Sequence, residues 1–374
     1  MFSESGSVAA KGSSATTKIT AVLCTFNRCQ SLAVALESIS VQVVPNSVEW
    51  EILVVDNNST DRTREVVEDF SRRYPGRFRY LFEPEPGKSR ALNAGIREAQ
   101  GEILAFTDDD VIVERTWLDN LTSPLRSGEW AGSGGRILPP ADFSPPRWIP
   151  LAQRYALAPL AIFDLGTEAG ELTEPPFGAN AAFRKVMFDK YGGFRTDLGP
   201  RPGNEIRSED TEFGRRLLEK GERLRYEPSA VVFHSVNERR INKKYFLTWW
   251  FDKARAEIRE HGIVPDRKLC VAGIPLVLFR RLLVWAVRWF VAVSPSSRFD
   301  CKRKVWSNAG QIVECYLQSR VARLGSRAIK PATPDMVKPD FRELKEKERV
   351  AVRSAPEPVR WLERRAGPDG ARRG

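Results

Sequence analysis

The sequence predicts an α/β protein whose core is a parallel sheet with helices on both faces. Two observations predict it. From residue 18 to residue 107, short apolar runs alternate with segments of helical spacing. Three of those runs end in loops rich in polar residues, where ligands of such sheets sit.

The elements follow in order. Residues 18–24 (KITAVLC) form the first strand and 31–40 the first helix. Residues 51–55 (EILVV) form the second strand and end at Asp56. A helix is expected over 61–73, with Ser59 or Thr60 as its N-cap. A third strand falls at 79–82, a helix at 89–99 and a fourth strand at 102–107. After residue 124 the rhythm loosens, and the Pro-rich stretch 139–150 reads as an irregular excursion. Order returns at 177–184, then in a helix near 210–220, a strand near 230–234 and a helix over 242–260.

The chain has 374 residues, 42% of them apolar, enough for one large domain with appendages. Its net charge of +11, 59 basic minus 48 acidic side chains, suits a nucleotide, a nucleic acid or an anionic membrane. No nucleic-acid motif is present, so nucleic acid is not an expected partner. Cys24, Cys29, Cys270, Cys301 and Cys315 are odd in number and scattered, which argues for a reducing cytosol rather than a disulfide framework. Residues 1–17 lack the apolar core of a signal peptide and are expected to be a disordered leader. The charged segment 324–374 is expected to be a mostly disordered tail.

Residues 269–293 are very apolar but contain Arg280, Arg281 and Arg288, which share one sector of about 100° on a helix. That pattern favours an interfacial helix with its cations toward headgroups. A buried helix and a spanning helix are the alternatives. The aromatic stretch 245–250 (YFLTWW), with Lys243 and Lys244 before it, reads equally as a helix facing a membrane or a ligand and as a packed core helix.

Two nucleotide motifs are excluded. The first strand leads into Thr25-Phe26-Asn27-Arg28, which has no glycine and cannot be a dinucleotide fingerprint. Gly87-Lys88-Ser89 resembles the end of a P-loop, but Phe82 stands where its leading glycine belongs. The central signal is Thr107-Asp108-Asp109-Asp110, directly after the fourth strand. Three adjacent carboxylates repel one another unless a cation or solvent relieves them. Hard divalent cations take such oxygen ligands and bridge them to substrate phosphates. A solvated acidic turn is the alternative. Asp56 suits a base or ribose hydroxyl, or a helix-capping turn. Lys88 and Arg90 lie where a helix N-terminus can face phosphates. Glu209-Asp210 opens a helix, where acids are common caps. His234 ends a strand, as either a structural histidine or a metal or phosphate ligand.

In order, the segments ITAVLCTFNR, EILVVDNNSTDRT, EPGKSRALNAGI, GEILAFTDDD, PPFGANAAFRK…YGGF and SEDTEFGRRLLEKGERLRYEPSAVVFH resemble a family 2 glycosyltransferase. The resemblance implies the GT-A fold, a mixed sheet flanked by helices, over 18–240. A C-terminal helical, membrane-associating region would follow over 241–323. It further implies that Asp108 and Asp110 hold Mg²⁺ or Mn²⁺ on a donor diphosphate, with His234 where some members supply another ligand. The donor, most often a UDP-sugar, would lie against Thr25, Asn27, Arg28, Asp56, Asn58, Lys88, Arg90, Asn93, Asp108 and Asp109. Asp210 would be the catalytic base of an inverting reaction.

The Q-x-x-R-W motif of processive synthases is absent, which favours addition of a single sugar. Residues 139–173 match nothing in the family and are a candidate acceptor-side loop. The expected acceptor is a glycan or lipid-linked hydroxyl at the inner face of the cell membrane. Two other readings stay open. A sugar nucleotidyltransferase would show a Gly-rich basic loop after the first strand, which CTFNRC lacks. A non-catalytic binding module would not need the intact acidic triplet and Asp210.

Overall fold

The computed structural model describes residues 16–202, 206–262 and 270–325. The chain begins β1 (Thr17–Thr25), α1 (Cys29–Ser40), β2 (Val48–Asp56), α2 (Thr63–Arg73), β3 (Phe78–Phe82), α3 (Lys88–Glu98) and β4 (Ile103–Asp108). It continues β5 (Val111–Val113), α4 (Trp117–Arg126), β6 (Gly132–Leu138), β7 (Gly170–Leu172), β8 (Asn180–Arg184), α5 (Lys185–Tyr191), α6 (Glu209–Glu219) and β9 (Leu224–His234). The C-terminal part comprises α7 (Lys243–His261), the short β10 (Cys270–Val271) and β11 (Ile274–Pro275), α8 (Leu276–Val291) and α9 (Pro295–Gly325).

The main sheet has the order β3-β2-β1-β4-β8-β6-β9-β5, with β7 also paired to β9. Strands β1 to β4 are mutually parallel, as the alternation predicted. The remainder makes the sheet mixed: β8 runs antiparallel to both β4 and β6, and β9 is antiparallel to β5 and β7. The reason is local. A helix between successive strands returns the chain parallel. After β4 that rule stops applying, because β5 follows the acidic turn directly and β8 follows a long irregular excursion. The mixed sheet flanked by helices is the architecture that the family resemblance implied.

One continuous apolar core, from Ile19 to Val232, fills the space between the sheet and its helices. Its strands are apolar on both faces because helices cover both. Gly101 is required at the entry to β4. A Cβ there would lie 2.4 Å from Thr20 N and 2.7 Å from Ile19 C, which are backbone atoms and cannot move aside.

The N-cap expected at Ser59 or Thr60 is corrected. Asp61 Oδ1 accepts the Thr63 N–H at 3.0 Å at the start of α2. Ser59 Oγ instead accepts the Asn27 N–H at 2.9 Å, and the Thr60 N–H goes to Asn27 Oδ1 at 2.7 Å. The helix over 245–250 is packed on one side: Phe246 and Leu247 are buried against Ile149, Leu160 and Phe299.

Within α8 only Leu278 is buried. Its outer side leaves Leu283 64% and Phe290 76% exposed. The buried-helix alternative for 269–293 therefore does not hold. Among the described residues no helix is long and apolar enough to cross a membrane. Most of the leader expected over 1–17 and of the tail expected over 324–374 lies outside the described residues.

Candidate active site

Four strand ends converge at the carboxyl edge of the sheet. β1 and β4 lie side by side with Cys24 opposite Asp108. β5 and β9 pair with Val111 opposite His234. The tight turn from β4 to β5 thus holds the acidic triplet between β1 and the end of β9. Carboxylate oxygens of Asp108 and Asp110 and a ring nitrogen of His234 all fall within 4.8 Å of one another. His234 Nε2 is 3.3 Å from Asp110 Oδ1, and His234 Nδ1 is 3.0 Å from the Ser235 carbonyl, which orients the ring.

Cations from two other loops face this cluster. Lys88 Nζ donates to Asp108 Oδ1 at 2.7 Å. Burial opposes the charge on Lys88, but Asp108, Glu209 and Asp210 outweigh it and hold its ammonium above the usual lysine range. Burial likewise would raise Asp108, yet Lys88 holds that carboxyl below the usual range. Arg28 Nη1 bridges Asp109 Oδ1 at 2.9 Å and Asp110 Oδ2 at 3.0 Å. Burial pushes Asp109 up to about 6, against the pull of Arg28 and with the push of Asp110. Thr25 Oγ1 donates to Asp109 Oδ2 at 2.8 Å. All three carboxylates have cationic or hydroxyl partners, but only Asp108 and Asp110 also come together with His234.

Asp210 lies across the same cleft. It lines one cavity with Lys88, Asp108, Gly178 and Glu209. Its Oδ2 accepts the Gly178 N–H at 2.6 Å and its Oδ1 the Thr211 N–H at 2.7 Å. A Cβ at Gly178 would lie 3.0 Å from Asp210 Oδ2, so a side chain there would press on that carboxylate. The preceding Ser208 takes a left-handed backbone, φ 104°, uncommon for a residue with a side chain. Lys253 of α7 donates to Ser208 Oγ at 2.8 Å and braces that turn.

The other predicted residues take distinct places. Asp56 is buried, with Oδ1 accepting the Ser59 N–H at 2.9 Å and Oδ2 the Tyr80 hydroxyl at 2.8 Å. Asn27 and Asn58 are both left-handed, φ 52° and 66°, a conformation Asn tolerates. They shape the loops that flank Asp56. Arg90 is partly exposed and paired with Glu85. Asn93 is engaged with backbone rather than with the acidic cluster. Its amide donates to the Phe194 carbonyl and accepts the Phe194 N–H, both at 2.8 Å.

Asn57, Arg240 and Lys253 were not singled out from the sequence, and Glu209 was named there only as one of an acidic helix-capping pair. Asn57 accepts the Gly87 N–H at 2.7 Å and donates to the carbonyls of Glu83 and Glu85, so it fixes the loop that presents Lys88. Glu209 is buried beside Lys88, its carboxyl raised by burial and by Asp210. Arg240 reaches within 3.8 Å of Asp110 Oδ2. Lys253 comes from a helix whose sequence showed only aromatic and basic character. Asn57 sits within the predicted loop and Glu209 within the predicted acidic pair, so adjacency was the available signal for both.

Residues 20–192 match the family model for Glycosyl transferase family 2, and the chain carries a glycosyltransferase domain of that family. Glycosyltransferase AglE of Haloferax volcanii is 25% identical over 243 residues, 63% of this chain and 75% of that protein. Succinoglycan biosynthesis protein ExoM of Rhizobium meliloti is 27% identical over 241 residues, 64% of this chain and 72% of that protein. A solved mannosyltransferase of Pyrobaculum calidifontis, in complex with GDP-Man and Mn²⁺, is 20% identical with a TM-score of 0.49 over 89% of this chain and 80% of its own.

Proposed function

We propose that this protein is an inverting, non-processive glycosyltransferase that moves one sugar from a nucleotide-diphosphate donor to an acceptor hydroxyl in glycan or polysaccharide synthesis. The observation that carries the reading is the pairing of two groups in one cleft: a donor set of Asp108, Asp110 and His234 within 4.8 Å, and Asp210 lining the cavity that Asp108 lines. A sugar nucleotidyltransferase would have little use for a base placed opposite the acidic triplet.

Two carboxylates and one imidazole fit Mg²⁺ or Mn²⁺, so Asp108, Asp110 and His234 are the residues that would hold the cation. Bound there, a divalent cation neutralises charge on the departing diphosphate. The other tasks fall to side chains. Lys88 and Arg28 add positive charge beside the triplet, where a phosphate has to lie. Asp56, at the end of β2, accepts bonds from the donor's base or ribose, and a UDP-sugar is the expected donor. Asp210 takes the proton of the acceptor hydroxyl as attack proceeds. The Gly178 and Thr211 N–H groups hold its two oxygens in place. One displacement with one base inverts the sugar's anomeric centre.

The same reading sets the protein against an anionic membrane surface. The outer side of α8 is apolar, with Leu283, Val287 and Phe290 exposed, and Arg280, Arg281 and Arg288 are exposed beside it. Apolar side chains flanked by cations suit the interface between acyl chains and headgroups. Flotation with anionic vesicles tests this; binding that survives both Leu283→Asp and Phe290→Asp would remove α8 from the account.

For the reaction, labelled UDP-, GDP- and dTDP-sugars are incubated with envelope glycan and lipid fractions. Wild type is expected to transfer label with inversion, while Asp210→Asn binds donor without transferring it. Transfer that persists in Asp210→Asn, or retention of configuration, would contradict the mechanism.

A further inference from the structure

A second cavity, of about 170 Å³, lies between the irregular excursion and the C-terminal helices. Gln153, Arg154 and Tyr155 line one side, and Phe246, Trp250, Phe299 and Arg303 line the other. We propose that this cavity is an acceptor subsite that holds one sugar ring of the acceptor glycan. The inference rests on the transferase reading above and names the class of ligand on its acceptor side.

The chemistry of the walls singles out a sugar. Tyr155 and Trp250, both half-buried, offer aromatic surface, which suits the C–H faces of a pyranose, over a floor of buried Phe246 and Phe299. Gln153 and the two guanidinium groups supply donors and an acceptor for its hydroxyl rim. Each arginine is already neutralised, Arg154 by Glu174 and Arg303 by Asp300 at 2.6 Å. The cavity therefore offers hydrogen bonds without excess charge, which fits an uncharged ring better than a phosphate. Its size decides between a ring and a nucleotide. Pockets for drug-sized ligands start at about 300 Å³, so this one takes a single ring.

Trp250 stands in the cavity wall with the Arg303 guanidinium stacked 4.4 Å over its ring, so its indole reports on anything that enters beside that pair.

Two links tie the cavity to the Asp210 turn. Arg154 and Tyr155 both contact the Glu174 carboxylate, four residues before the Gly178 N–H that binds Asp210, a backbone span of at most about 14 Å. Lys253, about one turn along α7 from Trp250, donates to Ser208 Oγ. On this proposal a glycan with its terminal hydroxyl at Asp210 places an inner ring in the cavity.

The test uses the full chain with ¹⁵N-labelled tryptophan, the Trp250 indole resonance being assigned by its loss in Trp250→Phe. Methyl glycosides of glucose, galactose, mannose and N-acetylglucosamine are titrated up to about 50 mM, well above the about 1 mM range of weak binding. At least one is expected to shift the Trp250 signal saturably. Gln153→Ala is expected to weaken that glycoside about fivefold, the loss of roughly one hydrogen bond. A folded protein whose Trp250 signal ignores every glycoside overturns the subsite. UDP, GDP and dTDP with Mg²⁺, added to the same sample, read the donor site independently. Nucleotide binding with a silent Trp250 would overturn the subsite alone, and glycoside binding without any nucleotide would keep the cavity but remove the transferase reading.

Discussion

The sheet and the C-terminal helices are held together by different forces. In the sheet, β1, β2 and β4 are almost wholly buried and share one apolar core with α1 to α4. The helices α7 to α9 enclose only small apolar clusters, such as Ile274, Leu278 and Cys315. Between those clusters they are joined by charge. Arg255 and Arg259 of α7 both pair with the buried Glu314 of α9, at 3.1 and 2.7 Å. A packed core tolerates little change in volume. A charge-linked bundle tolerates loss of a charge poorly but leaves apolar surface free for other partners. The first arrangement suits a rigid site at strand ends, and the second suits a surface that meets the substrate's environment.

Four substitutions break or sharpen this contrast. The largest effect is expected at the cleft itself. Asp210→Asn should lower kcat about 10²–10⁴-fold, the span of general-base catalysis, with the melting temperature little changed. Retained turnover would mean that the sheet positions something other than the base.

The next effect lies in the helices. Glu314→Ala leaves two cations facing a buried gap and should cost about 3 kcal/mol in denaturant unfolding. A cost below about 1 kcal/mol would show that the small apolar clusters, not the charges, hold α7 to α9.

Gly101→Ala should cost about 2 kcal/mol, because its Cβ has only backbone to press against. If Gly101→Ala proved neutral, the sheet core would be more yielding than its packing indicates.

Leu283→Asp should change stability by less than about 0.5 kcal/mol, as an exposed position does, while reducing flotation with anionic vesicles. Marked destabilisation would mean that α8 is covered by protein.

The same contrast explains what could be read from the chain. β1 to β4 were legible because unbroken apolar runs between helical segments have one simple outcome, the parallel crossover. Asp56, Asp108, Asp110 and His234 were legible as site candidates because each lies at or next to a strand end. Asn93 was placed with the donor residues, yet its amide is occupied by the Phe194 backbone 101 residues later in the chain. Residue type and spacing cannot reveal such a partner. Asn57 was passed over because its role is to hold backbone carbonyls across the loop. In the helices, apolarity was an ambiguous guide. Residues 269–293 have the composition of a core, yet α8 turns most of its apolar side chains outward. Lys253 reaches Ser208 from 45 residues away, and no pattern in 245–250 announces it.

On the proposed function, the acidic triplet holds a donor diphosphate through a cation. Calorimetric titration of UDP-, GDP- and dTDP-sugars with Mn²⁺ or Mg²⁺, then with EDTA, on wild type and Asp110→Ala, tests it most directly. One donor class is expected to bind only with the cation, and Asp110→Ala should weaken it at least about tenfold, 1.4 kcal/mol. Donor binding unchanged by EDTA and by Asp110→Ala would contradict the assignment of Asp108, Asp110 and His234.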